Sequence, residues 1–121
     1  MDTSGMQNEI NQYNAEIKEL QEEVKEYKNA YEKLKDALNK CVNLDSGIDE
    51  VESGINSCWT GKSADKTKSK INIARDVVSS SVKLLNNIIA DCSLKQVEIN
   101  QKISELQSKI SALQESINES E

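Results

Sequence analysis

Residues 10–41 read INQYNAEIKELQEEVKEYKNAYEKLKDALNKC, and their apolar side chains recur at alternating steps of three and four residues. The a positions of this heptad repeat are Ile10, Ile17, Val24, Tyr31 and Leu38, and the d positions are Tyr13, Leu20, Tyr27, Leu34 and Cys41. Such a repeat lays one apolar stripe along a helix and is typical of coiled coils. The pattern predicts a long first helix whose stripe packs on another helix.

Beyond Cys41 the repeat meets a polar residue, because Asp45 occupies the position where the next apolar side chain is due. The apolar residues in the following segment are Leu44, Ile48, Val51, Ile55 and Cys58. This spacing predicts that the stripe resumes at Leu44 in a shifted register, with a local overwinding of the supercoil. We expect the first helix to cover about residues 6–57.

A second stripe in a single heptad register follows, with Arg75 and Gln96 as its polar exceptions. Its apolar members are Ile71, Val78, Val82, Leu85, Ile89, Cys92, Ile99, Ile103, Leu106, Ile110, Leu113 and Ile117. Between the two stripes lies Trp59-Thr60-Gly61, where Gly61 can adopt a positive φ. The sequence thus predicts an all-α antiparallel two-helix hairpin, a single domain over residues 1–121. The turn is expected at about residues 58–62 and the second helix at about 63–118.

Four further apolar residues, Ile73, Val77, Leu84 and Ile88, widen the apolar face of the second helix. One partner helix cannot cover so wide a face, and uncovered apolar surface usually marks a site of protein association. We therefore expect these four residues to form a partner interface. The hairpin is expected to assemble into a four-helix or larger bundle.

Three residues near the turn are further candidates for binding. Gly47 and Gly54 lie beside Ile48 and Ile55 in the first helix. They either form a smooth strip for close approach of a partner helix or mark a locally weak helix end, because glycine disfavours helix. Trp59 is the only tryptophan. It either plugs the end of the hairpin or serves as an exposed recognition anchor, a role in which tryptophan is favoured.

The charge is unevenly distributed along the chain. Residues 1–58 hold 13 acidic and 6 basic residues, a net charge of −7, and residues 59–121 hold 8 acidic and 9 basic, a net charge of +1. The acidic end of the first helix would face the basic start of the second in a hairpin. The overall charge of −6 disfavours nucleic acid as a partner.

Several kinds of chemistry are excluded by the composition. The chain has no His, which removes the imidazole base, the Ser-His and Cys-His dyads and the His metal ligand. Its three cysteines lack the Cys-x-x-Cys spacing of zinc sites and are expected to be small buried hydrophobes. We expect no enzymatic activity, no cofactor and no metal. We likewise expect no membrane span and no cleaved signal peptide.

A helical hairpin whose turn carries Trp59-x-Gly61 resembles the WXG family of small bacterial proteins, which are substrates and partners of type VII secretion. The chain is longer than usual members. It also lacks their C-terminal Tyr/Phe-xxx-Asp/Glu export element, since no Phe occurs and no Tyr follows Tyr31. The longer chain is more similar to the small helical proteins encoded beside LXG-domain toxins in Gram-positive bacteria. Some of those proteins carry the export element and some do not, and this chain resembles the kind without it.

This resemblance implies a chaperone-like adaptor that binds the helical N-terminal region of an LXG toxin, alone or with a second small helical protein. It implies that Trp59 and Gly61 supply one half of a secretion signal, and that the partner supplies the aromatic-acidic half. The protein would act in the cytoplasm before export through the type VII machinery. The alternative is a homodimeric structural coiled coil without a secretion role, because Ile103 at a with Leu106 at d suits dimers.

Overall fold

The protein, a computed structural model that describes residues 2–120, consists of two α-helices. They are α1 (Ser4–Cys58) and α2 (Lys62–Ser120), which pack against each other without any strand in the described residues. The prediction of an all-α helical hairpin is confirmed. Each helix extends one or two residues beyond its predicted bounds at either end. Met1 and Glu121, which the predicted domain also included, lie outside the described residues.

Local hydrogen bonds define the start of α1. The Ser4 backbone N–H donates to Asp2 Oδ1 over 2.9 Å, and the Gln7 N–H donates to the Thr3 carbonyl over 3.0 Å. The first contact satisfies a backbone donor that has no partner within the helix. It also holds the pKa of Asp2 below its ordinary value, because the backbone N–H of Ser4 stabilises the ionised carboxylate.

The turn between the helices depends on one glycine. Gly61 has φ 105°, the only positive φ in the described residues. Residues with a Cβ disfavour this conformation, whereas Gly adopts it freely. The first helical turn of α2 begins directly after Gly61, since the Asp65 N–H donates to the Gly61 carbonyl over 3.0 Å. Ala64, one heptad before Ile71, is completely buried. The chain therefore reverses within Trp59–Gly61.

The contacts divide the hairpin into two compact units, and each unit contains part of α1 and part of α2. In the first unit, residues 2–30 and 92–120, the core is a cluster of isoleucine and leucine side chains flanked by two tyrosines. Its buried members are Ile17, Ile99, Ile103 and Leu106, and Tyr13, Leu20, Val24, Tyr27 and Ile110 pack against them. All belong to the two predicted stripes, so the heptad pattern placed this core.

The cysteines behave differently from one another. All three are free thiols. Cys92 is buried, as expected, and its Sγ donates to the Tyr27 carbonyl over 3.1 Å. Cys41 is half-buried, but Cys58 is exposed at the end of α1, contrary to the expectation of a buried hydrophobe. The reason is that α1 ends at Cys58, whose Sγ donates to the Gly54 carbonyl of its own helix.

In the second unit, residues 31–91, the predicted shift of register in α1 is wrong. The half-buried side chains continue the original repeat through Leu38, Cys41, Asp45, Ile48, Glu52 and Ile55. Leu44 and Val51, which were expected in the stripe, are 58% and 56% exposed. Arg75 of α2 supplies a cation to Glu52, one of the two acidic positions in this part of the repeat. The apolar pattern alone therefore misplaced the face that contacts α2.

We expect opposite effects when alanine replaces glycine at the turn and in the helix. Gly61→Ala forces a Cβ into the left-handed region and should lower the free energy of unfolding by about 1–2 kcal/mol. Gly54 is helical, and a Cβ there meets no heavy atom within 4 Å. Gly54→Ala should therefore raise the stability by about 0.5–1 kcal/mol. Thermal unfolding of the two variants followed by circular dichroism measures both, and a shift of equal sign would contradict this account of the turn.

Candidate protein-interaction site

Ile73, Val77, Leu84 and Ile88 are each between 40% and 65% exposed. At about 100° per residue, the four fall within an arc of about 60° on α2. The centre of this arc lies about 130° from the residues of the same helix that face α1. The sequence suggested that these residues widen the buried stripe, but they do not. They form a separate row on α2, which we call the outer stripe.

A shallow open groove runs along the middle of the outer stripe. Its lining consists of Ile73, Asp76, Val77, Ser80, Ser81 and Leu84. The two serines are small, so the surface is lowest between Val77 and Leu84. The Ser81 hydroxyl donates to the Val77 carbonyl over 2.9 Å, within its own helix. This hydroxyl can be covered by another protein without losing its hydrogen bond, so covering it costs little.

The two candidate glycines of α1 lie on one side of the helix. Gly47 is half-buried and Gly54 is exposed, and a Cβ at either position meets no heavy atom within 4 Å. The helix continues through both to Cys58. At about 100° per residue, both glycines adjoin the exposed Leu44 and Val51. We call these four residues the α1 patch.

The α1 patch contains functional candidates that the sequence interpretation missed. Leu44 and Val51 were predicted to lie in the contact with α2, because Asp45 occupies the position where the next apolar side chain is due. A signal was nevertheless present in the sequence. Continuing the repeat of residues 10–41 without a shift leaves Leu44 and Val51 outside the stripe. The lone arginine, Arg75, is the residue that makes such continuation possible.

Trp59 lies in the turn and is 42% exposed. Its backbone N–H donates to the Ile55 carbonyl over 2.9 Å, so its main chain continues the last turn of α1. Gly61 follows two residues later with its positive φ. The side chain of Trp59 thus offers apolar area at the tip of the hairpin, next to a backbone fixed by the turn.

A charged layer lies beside the candidate surfaces in the second unit. Arg75 Nη2 donates to Asp49 Oδ1 over 2.7 Å, and Arg75 Nη1 lies 2.6 Å from Glu52 Oε2. The second contact is an ion pair without hydrogen-bond geometry, and it gives the solvent-shielded Oε2 atom its compensating charge. The contact with Glu52, and then that with Asp49, raises the pKa of Arg75 above its ordinary value.

Metal ligation and membrane insertion find no support in the described part of the chain. No group of three or more His, Cys, Asp or Glu side chains among residues 2–120 is arranged to hold a metal ion. Neither helix, as far as it is described, is long and apolar enough to cross a membrane. The features that remain as candidates are the outer stripe, the α1 patch and the Trp59–Gly61 turn.

The charged layer predicts a selective loss of stability. Arg75→Ala should lower the urea midpoint of unfolding, because Asp49 and Glu52 lose their shared cation. The matched control is Lys95→Ala, which removes an exposed ion pair to Glu98 at 3.4 Å and should change the midpoint little.

The same comparison has a defined pH dependence. The folded-state pKa of Arg75 is raised, so the contribution of its charge is fully present below the ordinary pKa of an arginine and is lost only as the pH rises through the raised value. The difference between Arg75→Ala and the unchanged protein should therefore be constant between about pH 6 and pH 9. Equal midpoints for the two alanine variants would show that the charged layer adds nothing to stability.

Comparisons with known proteins add no relative to this geometry. No protein-family model matches the chain, and no curated protein and no solved structure is significantly similar to it. The resemblance to secretion partners therefore rests on the helical hairpin and on Trp59 and Gly61.

Proposed function

We propose that this protein is a non-enzymatic, chaperone-like adaptor of bacterial type VII secretion. It binds the helical N-terminal region of an LXG-domain toxin, and a second small helical protein can share the complex. The observation that carries the proposal is the outer stripe of α2, an exposed apolar row on a hairpin whose turn presents Trp59 and Gly61.

Binding follows from burial of the outer stripe against a partner helix. Complete burial of a Val, Leu or Ile side chain stabilises a complex by about 1.5–3 kcal/mol, and the four residues retain roughly half of that potential. The gross gain is several kcal/mol, from which the cost of association is subtracted. An amphipathic partner helix with anchors at steps of three and four residues matches this row.

The α1 patch supplies a second contact in the complex. Gly47 and Gly54 have open space where a Cβ would lie, so a partner backbone can approach α1 closely. Leu44 and Val51 border this space with apolar side chains. A toxin region made of more than one helix can cover the α1 patch with one and the outer stripe with another.

The Trp59 turn supplies the secretion half of the mechanism. Trp59 is exposed enough to be contacted, and Gly61 fixes the backbone next to it. The aromatic-acidic element is supplied by the partner, in keeping with the absence of Phe from residues 1–121 and of Tyr from residues 32–121. The adaptor acts in the cytoplasm before export and leaves with the toxin through the type VII machinery.

The interface is tested by matched valine substitutions on α2. Val77 is 61% exposed in the outer stripe, and Val97 is 53% exposed outside it. Val77→Glu should weaken binding to the toxin region tenfold or more, because a charge would be buried without a partner. Val97→Glu should leave binding unchanged.

The measurement is co-expression with the helical N-terminal region of an LXG-domain toxin, followed by affinity purification and light scattering. A heteromer that Val77→Glu dissociates and Val97→Glu preserves supports the adaptor function. A homodimer that ignores the toxin region would instead make the protein a structural coiled coil. Equal effects of both substitutions would remove the outer stripe from the interface.

Export is tested separately at the turn. Trp59→Ala should abolish appearance of the toxin complex in the culture medium while leaving its assembly in the cell intact. Thr60→Ala, at the neighbouring exposed position, is the control and should export normally. Immunoblots of cell and medium fractions give both quantities. Normal export of the Trp59→Ala protein would refute a role for the turn in the signal.

A further inference from the structure

The outer stripe has the same spacing when it is followed from either end. Ile73 and Ile88 lie at equal distances from the midpoint between Ser80 and Ser81, and so do Val77 and Leu84. The residues at the midpoint are both serine. An antiparallel copy of the same helix would therefore place isoleucine opposite isoleucine, valine opposite leucine and serine opposite serine.

The charges at the ends of this segment are complementary in the same arrangement. Lys70 and Asp91 are also equidistant from the midpoint, and both are exposed. At about 100° per residue, both fall within the arc of the outer stripe. Neither has an ion-pair partner among residues 2–120. In an antiparallel pair, Lys70 of each copy would meet Asp91 of the other, so two ion pairs would form.

We propose that, without its partner, the protein forms a two-fold symmetric dimer in which the outer stripes of two copies of this chain pack antiparallel. The two-fold axis passes beside Ser80 and Ser81. A two-fold interface requires a surface that complements itself, and this row meets that requirement in both shape and charge. The small serines let the two helices approach closely, and the Ser81 hydroxyl is already bonded to the Val77 carbonyl.

The dimer goes beyond the proposed adaptor function and is independent of it. It covers the outer stripe while no partner is present, and a partner helix then has to displace the second copy. The paired segment extends only from Lys70 to Asp91, which gives a small interface. Small interfaces of this kind are weak, so we expect a dissociation constant in the micromolar range or above, on the order of 10 μM.

The register of the dimer is tested by disulfide formation between single introduced cysteines. The background carries Cys41→Ser and Cys58→Ser, because those thiols are accessible, and keeps the buried Cys92. Ser81→Cys should cross-link into dimers on mild oxidation, because the two copies of residue 81 lie beside the axis. Ile88→Cys should not cross-link, since its two copies would be about 22 Å apart along the helices.

A parallel pair would give a different result, because every residue of the outer stripe would then face its own copy and both cysteines would cross-link. That outcome would overturn the antiparallel dimer, and so would the absence of cross-linking at both positions. A chain that is monomeric alone but binds the toxin region would overturn the dimer and leave the adaptor function standing. A dimer that does not bind the toxin region would do the reverse.

A charge exchange tests the two ion pairs independently of the cysteines. Asp91→Lys places lysine opposite Lys70 and should weaken dimerisation about fivefold or more in sedimentation equilibrium at low salt. The double variant Lys70→Asp with Asp91→Lys restores opposite charges and should recover the original affinity. Weakening in the double variant equal to that in the single variant would overturn the pairing of Lys70 with Asp91.

Discussion

The structure depends on the burial of one row of side chains on each helix at alternating steps of three and four residues. The row persists from Ile10 to Ile55 in α1 and from Ala64 to Ile117 in α2. A hairpin of two helices has no other interior. The side chains that lie off this row are therefore at the surface. The outer stripe and the α1 patch exist because their apolar side chains lie off it.

The charged layer shows how the row tolerates polar residues. Asp45 and Glu52 occupy positions where coiled coils usually carry apolar side chains. Arg75, one of the two polar exceptions in the stripe of α2, contacts Glu52 and Asp49 and lines the same groove as Asp45. A charged group in such a position lowers stability relative to an apolar one but favours one pairing over others. Two copies of α1 paired in parallel would bring the acidic positions together and be repelled.

The sequence was sufficient for the helices, the turn and the first unit, because strong periodicity and a single glycine interruption point to one fold. It failed at Asp45, because a polar side chain was expected to end the register there, whereas the half-buried positions continue through Asp45 and Glu52. That error hid Leu44 and Val51 as surface residues. It also failed to separate the outer stripe from the buried stripe, since a list of apolar positions does not show the angle between two faces until the register is fixed. Ile73, Val77, Leu84 and Ile88 themselves were correctly singled out as uncovered.

Gly61 has a consequence for the topology of the whole molecule. Its backbone lies in the left-handed region, so the chain cannot pass from α1 to α2 as one helix. A residue that favoured the right-handed conformation there would allow the two helices to merge into a single rod. A rod buries its apolar rows only against a second rod, which is exchange of helices between chains by domain swapping. One glycine therefore determines whether the core is completed within the chain or between chains.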